Sequence, residues 1–119
     1  VLLATVKGDV HDIGKNIVSM LMRSRGWDVY DVGVDVPVEK FVEAVREKKP
    51  NVLGLTSLLT TTASQFDLTV DRLKEEGLRD GLKVIIGGNA ATEERAEEAG
   101  ADAWTDSATD GIKKCEAWI

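Results

Sequence analysis

The chain has 119 residues, 43 % hydrophobic and 30 % charged, with 15 Lys and Arg against 21 Asp and Glu and a formal net charge of −6. That profile predicts one soluble globular domain with enough apolar material for its own core. An acidic chain with no basic cluster argues against nucleic acid as a partner, and no apolar run approaches the ~18 residues of a membrane span.

The pattern along the chain alternates between strand and helix five times. Val1-Leu2-Leu3-Ala4-Thr5-Val6 is nearly continuous in apolar residues, as expected of a strand buried on both faces. No secretory leader is legible. The sequence starts at Val1, not Met, already inside that run, so further chain is expected upstream. Residues 15–25 follow as a helix with Ile13, Ile17, Met20 and Leu21 on one stripe, stopped by Gly26. Residues 27–32 are predicted as the second strand. Pro37 opens a second helix carrying Val38, Phe41, Val42 and Val45 at helical spacing, and Pro50 ends it. Residues 51–56 form a third strand and residues 62–76 a helix ended by Gly77. Residues 83–86 form a fourth strand closed by Gly87-Gly88. A short helix at 92–99 shows an acidic, solvated face, Glu93-Glu94-Arg95-Ala96-Glu97-Glu98, and stops at Gly100. A short strand at 103–105 and a helix at 107–119 complete the chain. Cys115, on that last helix, is the single cysteine; it excludes an intramolecular disulfide, suits a reducing, cytoplasmic setting and reads as inert packing.

Five strand–helix units predict an α/β fold of flavodoxin-like (Rossmann-like) type: a five-stranded parallel sheet of order 2-1-3-4-5 with helices on both faces. Ligands in such sheets sit outside the carboxyl ends of the strands. The segments to search are therefore 7–14, 56–62, 87–91 and 105–108.

The first of these reads Gly8-Asp9-Val10-His11-Asp12-Ile13-Gly14-Lys15-Asn16 and holds the only histidine of the chain. Asp9 and His11 are two apart, so in extended chain both side chains leave on one side. A carboxylate there accepts from one imidazole nitrogen and leaves the other as an outward lone pair, suited to a metal or to work as a base. Gly14 removes a Cβ where backbone or a flat ligand comes close, and Asp12 suits a helix cap. The plain alternative is an exposed loop histidine. One histidine and one distant cysteine cannot supply a zinc site, and no Gly-x-Ser-x-Gly turn marks a hydrolase. A cofactor that brings its own equatorial ligands needs only one axial ligand from the protein.

The Asp9-x-His11-x-x-Gly14 motif resembles that of cobalamin-binding domains, in particular the methyl-carrying corrinoid proteins and the cobalamin module of methionine synthase. Two further signatures fall in place. The family's Ser-x-Leu after the third strand is matched by Thr56-Ser57-Leu58 with Thr56 in the serine's position, or by Ser57-Leu58-Leu59 one residue later. The family's Gly-Gly after the fourth strand is Gly87-Gly88. The likeness covers essentially the whole chain as one cobalamin-binding domain, residues 1–119, without the N-terminal helical cap domain such carriers usually have.

The resemblance implies a cobamide (cobalamin or a relative, as methylcobamide in the working cycle) bound base-off. His11 is then the lower axial ligand on cobalt, oriented by Asp9, with Thr62 closing a His-Asp-hydroxyl chain. Asp9, Val10, His11, Asp12, Ile13 and Gly14 form the cofactor loop. Gly87 and Gly88 line the slot for the nucleotide tail, Thr56 and Thr60 offer it hydroxyls, Leu58 supplies an apolar wall, and Trp104 and Ala108 border the far end. Trp104 reads equally as a core residue and the run Thr60-Thr61-Thr62 equally as a helix cap. The implied function is a methyl carrier between a substrate methyltransferase and an acceptor methyltransferase of tetrahydrofolate or thiol type, with a reductive activator as a further partner. Such a carrier is a component of a methyltransferase system rather than a stand-alone catalyst. The alternatives are the cobalamin domain of an adenosylcobalamin mutase, whose motif commonly has Arg where Ile13 stands, and a cobalamin-dependent sensor. A receiver-like signalling domain needs an Asp ending the third strand and a Lys ending the fifth; Thr56 and Thr105 stand there.

Overall fold

The structure, a computed structural model, describes residues 1–6, 8, 13–57, 64–88, 91–105 and 107–118, with Ile13 and Gly14 described by their backbone alone. Its elements alternate as β1 (Leu2–Val6), α1 (Ile13–Ser24), β2 (Tyr30–Val36), α2 (Val38–Lys48), β3 (Val52–Thr56), α3 (Ser64–Glu75), β4 (Lys83–Gly87), α4 (Glu93–Ala99), β5 (Ala103–Thr105) and α5 (Ala108–Glu116). All four strand pairings are parallel and the order is β2-β1-β3-β4-β5, as the alternating pattern predicts. Inner strand β1 is buried along its whole length, whereas edge strand β2 is largely exposed or half-exposed. None of the described helices is long and apolar enough to cross a membrane.

Successive strand residues point to opposite faces, and the two faces are filled differently. On one, Leu2, Ala4, Val6, Leu53, Leu55, Val84 and Ile86 meet Phe41, Val42 and Val45 of α2, Phe66, Val70 and Leu73 of α3, and Ala96 and Ala99 of α4. On the other, a much smaller cluster joins Leu3, Val52 and Ile85 to Met22 of α1 and Ile112 and Cys115 of α5.

Two helix starts follow directly from side-chain chemistry. Thr92 accepts the Arg95 N–H at 3.0 Å to cap α4, and Ser107 accepts the Asp110 N–H at 3.2 Å to cap α5.

Two expectations shift. The second strand begins at Tyr30, not at residue 27. Gly26 takes a left-handed φ of +82°, and the Trp27 N–H reaches back to the Met22 carbonyl at 3.3 Å, so Trp27 closes α1 instead of opening a strand. The inward stripe of α1 is also rotated. Lys15, Ser19 and Met22 are buried, while Ile17 and Met20 are 42 % and 63 % exposed. Lys15 can point inward because both oxygens of Asp31 lie 2.5 Å from its ammonium. A buried paired cation defeats a reading that looks only for apolar residues.

Candidate functional site

The parallel register lays two rows of residues across the thinly filled face. Leu3, Gly54, Ile85 and Ala103 stand side by side on β1, β3, β4 and β5, and Thr5, Thr56, Gly87 and Thr105 form the next row toward the carboxyl ends. The inner row is apolar and the outer one is hydroxyl-rich. Each has a glycine near its middle, so the floor is hollow where side chains would otherwise stand.

A cavity of about 280 Å³ occupies that hollow. Lys15, Ile17, Val18 and Met22 of α1 wall one side and Ala108, Gly111 and Cys115 of α5 the other. An engineered cavity of about 150 Å³ holds a benzene, so this one has room for a larger flat group with an apolar inner end and a polar outer end.

The glycines serve different ends. A Cβ on Gly87 would meet Thr105 Cγ2 at 3.5 Å, an ordinary contact; it is the rest of a larger side chain that would occupy the cavity. Gly88 has a φ of +97°, and a Cβ there would lie 2.3 Å from the Ser57 carbonyl oxygen. The Ser57 N–H meanwhile donates to the Gly87 carbonyl at 3.1 Å. Gly88 is thus required by the close approach of two backbones as the chain leaves β3 and β4. In α5, a Cβ on Gly111 would stand 3.0 Å from Thr105 Cγ2, so glycine lets the helix close on β5.

Polar groups at the outer end are held in place. The Thr5 and Thr56 hydroxyls are 3.0 Å apart. The Thr105 hydroxyl lies 2.7 Å from the Ser107 carbonyl and 3.0 Å from Asp110 Oδ2, and accepts the Ser107 N–H at 3.2 Å. Hydrogen bonds from Lys114 and then Thr105 hold the Asp110 carboxyl below the usual carboxylate range. At the inner end burial pushes the Cys115 thiol up to about 11, so it stays protonated and unreactive at neutral pH.

Of the expected cofactor residues, Thr56, Gly87, Gly88 and Ala108 line this one cavity. Trp104 does not; its half-buried ring packs on the opposite, fuller core, with the Lys114 ammonium 5.2 Å from the ring centre. Ser57, the other register for the family serine, is buried but is not a lining residue. Ile13 and Gly14 form the first turn of α1. Asp9, Val10, His11, Asp12, Leu58, Thr60 and Thr62 lie outside the described residues. Sequence reasoning did not single out Lys15, Gly54 or Gly111, read Cys115 as packing, and searched the segment that opens at Thr105 without naming it as a cofactor residue; all five line the cavity. A glycine inside a strand and another inside a helix are each costly without a packing reason, and Gly54 and Gly111 carried that signal.

The B12 binding domain family matches residues 1–113. The chain belongs to that family. Its cofactor is accordingly cobalamin or another cobamide, and the hollow glycine floor with a hydroxyl rim fits an elongated tail of mixed polarity. The dimethylamine corrinoid protein of Methanosarcina barkeri is 45 % identical over 112 residues, which is 94 % of this chain and 53 % of that protein. A solved cobalamin-binding protein from Desulfitobacterium hafniense DCB-2 superposes with a TM-score of 0.96 at 47 % identity, over 99 % of this chain and 58 % of that one. A chain of the methanol:cobalamin methyltransferase complex of Methanosarcina barkeri superposes with a TM-score of 0.89 at 38 % identity, over 98 % of this chain and 45 % of that one. This chain spans about half the length of the dimethylamine corrinoid protein.

Proposed function

We propose that the chain is the cobamide-carrying module of a methyltransferase system, holding its cofactor base-off with His11 as the lower axial ligand. The observation that carries this reading is the glycine-floored cavity, whose β1 wall leads directly into the Asp9-x-His11-x-x-Gly14 segment. Support also comes from the likeness to a dimethylamine corrinoid protein and to a chain of a methanol:cobalamin methyltransferase complex.

In this reading the nucleotide tail enters between the sheet and α1 and α5. Gly54 and Gly87 leave it room, and the Thr56 and Thr60 hydroxyls meet polar atoms that would otherwise be buried unpaired. Leu58 supplies an apolar wall. Asp9 accepts from one imidazole nitrogen of His11 and so presents the other to the metal, with Thr62 as the next member of the chain. Off the metal, the same imidazole nitrogen of His11 would be free to accept a proton. A bound cobamide would supply the nucleophile for methyl transfer, and the role of these residues would be to hold and orient it. The partners are a substrate methyltransferase, an acceptor methyltransferase of tetrahydrofolate or thiol type, and a reductive activator.

The test is reconstitution with hydroxocobalamin followed by reduction to cobalt(II) and electron paramagnetic resonance. Nitrogen splitting from the protein histidine is expected and is lost in His11→Ala. A bound cofactor without that splitting overturns histidine ligation.

A further inference from the structure

Both ends of the segment that bears His11 are fastened to the same neighbouring strand. Before it, the Gly8 N–H donates to Asp35 Oδ1 at 2.7 Å. After it, the Lys15 ammonium sits 2.5 Å from both oxygens of Asp31, and Asp31 is held in turn by the Gly33 N–H at 2.9 Å. Asp31 and Asp35 both lie on edge strand β2, which pairs with β1. Asp35 is one of two non-glycine residues with a left-handed φ among those described, at +51°, and Gly33, two residues before it, stands at +115°. The register between β1 and β2 shifts twice along this stretch. Non-glycine residues avoid that backbone region unless the surroundings hold them there.

From this geometry, and resting on the reading of His11 as the cobalt ligand, we infer that Asp31 and Asp35 are positioning residues: the distorted edge strand is a two-point clamp on Gly8 and Lys15, which flank the segment bearing His11, and sets that segment for metal ligation. The physical reason is entropic. A ligand on a loop free at both ends must be ordered each time it engages the metal, whereas a loop pinned at both ends has less freedom to lose on binding. The two points differ in strength. The Lys15 ammonium is buried and charge-paired, with its side chain 3 % exposed, whereas the Gly8–Asp35 bond is an exposed contact. The clamp therefore fixes Lys15 firmly and Gly8 adjustably. Asp31 and Asp35 do not line the tail cavity, whereas Lys15 does, so Asp35→Gly is the variant that separates ligation from cofactor uptake.

The chain has a single histidine, so protein grown with ¹⁵N-histidine reports His11 alone, and the probe is hydroxocobalamin reduced to cobalt(II). Asp35→Gly keeps the left-handed backbone without steric strain and removes the acceptor. It is expected to take up cobalamin within about threefold of wild-type affinity while the share of bound cobalt split by the labelled nitrogen falls by half or more. Asp35→Asn, which keeps a neutral acceptor and tolerates the same φ, is expected to restore the splitting. Lys15→Met, which avoids stranding a buried ammonium as a change at Asp31 would, is expected to reduce it as well. Wild-type splitting in both Asp35→Gly and Lys15→Met overturns the clamp. So does loss of splitting that only tracks loss of the apo fold in thermal melts of the two variants. A wild-type chain that binds cobalamin with no labelled splitting overturns His11 ligation itself, which separates the failure of that reading from the failure of the clamp.

Discussion

The two faces of the sheet are built from the same strands and yet do opposite things. Against α2, α3 and α4 the sheet presents Leu2, Ala4, Val6, Leu53, Leu55, Val84 and Ile86, and three helices fill every position with Phe, Val, Leu or Ala. Against α1 and α5 it presents two glycines and three threonines among its larger residues, and the space between stays open at about 280 Å³. One face holds the fold together; the other leaves apolar area uncovered so that a ligand can cover it. Because strand residues alternate, each β-strand can serve both purposes without compromise.

The largest expected difference between the faces is in stability. Phe66→Ala, in the filled core, should cost about 3–5 kcal/mol, enough to unfold much of a typical domain population. Leu3→Ala, beside the cavity, should cost only about 2 kcal/mol, at the low end for such truncations because a void already borders it. Urea melts of the two variants check this, and equal losses would break the comparison.

Binding should discriminate in the other direction. Gly87→Leu places a side chain in the cavity from a position where a Cβ makes only an ordinary contact. It should weaken hydroxocobalamin binding by about tenfold or more, an overpacking cost of about 1–3 kcal/mol, with a smaller effect on the apo melt. Gly88→Ala drives its methyl into the Ser57 backbone and should lower the apo melting temperature, with any binding loss following the fold. Calorimetric binding alongside melting separates the two.

Cys115 reports on the open face chemically. Its folded value of about 11 lies above the ordinary 9.0 because burial disfavours the thiolate. The stability this contributes is present in full below pH 9 and is lost as pH rises through about 11. Alkylation of the folded chain by iodoacetamide at pH 8 should be at least about tenfold slower than that of the unfolded chain, and cobalamin should slow it further because Cys115 lines the cavity.

The smallest effects are at the helix caps. Thr92→Ala and Ser107→Ala should each cost about 1 kcal/mol in stability. Only Ser107→Ala, at the cavity rim, should also shift cobalamin affinity.

Strand order, the parallel sheet and the place of Gly87-Gly88 were legible because they rest on alternation and on residues with strong local meaning. The displacement of β2 was not, since Gly26 marks the end of α1 but not the hydrogen bond to Met22 by which Trp27, one residue on, joins that turn. The rotation of α1 was hidden by Lys15, whose burial is decided by Asp31 on another element. Gly88 was legible as glycine but not for its reason: a slot wall and a backbone crossing demand the same residue, and only the Ser57 carbonyl distinguishes them. The hydroxyl row was half legible. Thr56 is marked by its motif, while Thr5 and Thr105 join it through register across separate strands.

The central claim is that the open face receives the cofactor's nucleotide tail, and the most direct measurement compares cobalamin with cobinamide, which has the corrin ring but no nucleotide. Titrating both into the wild-type chain and into Gly87→Leu should show cobalamin bound at least about tenfold more tightly than cobinamide by the wild type, with the gap closed in the variant through loss of cobalamin affinity alone. Equal affinities in the wild-type chain, or a variant that weakens both ligands to the same extent, would contradict it.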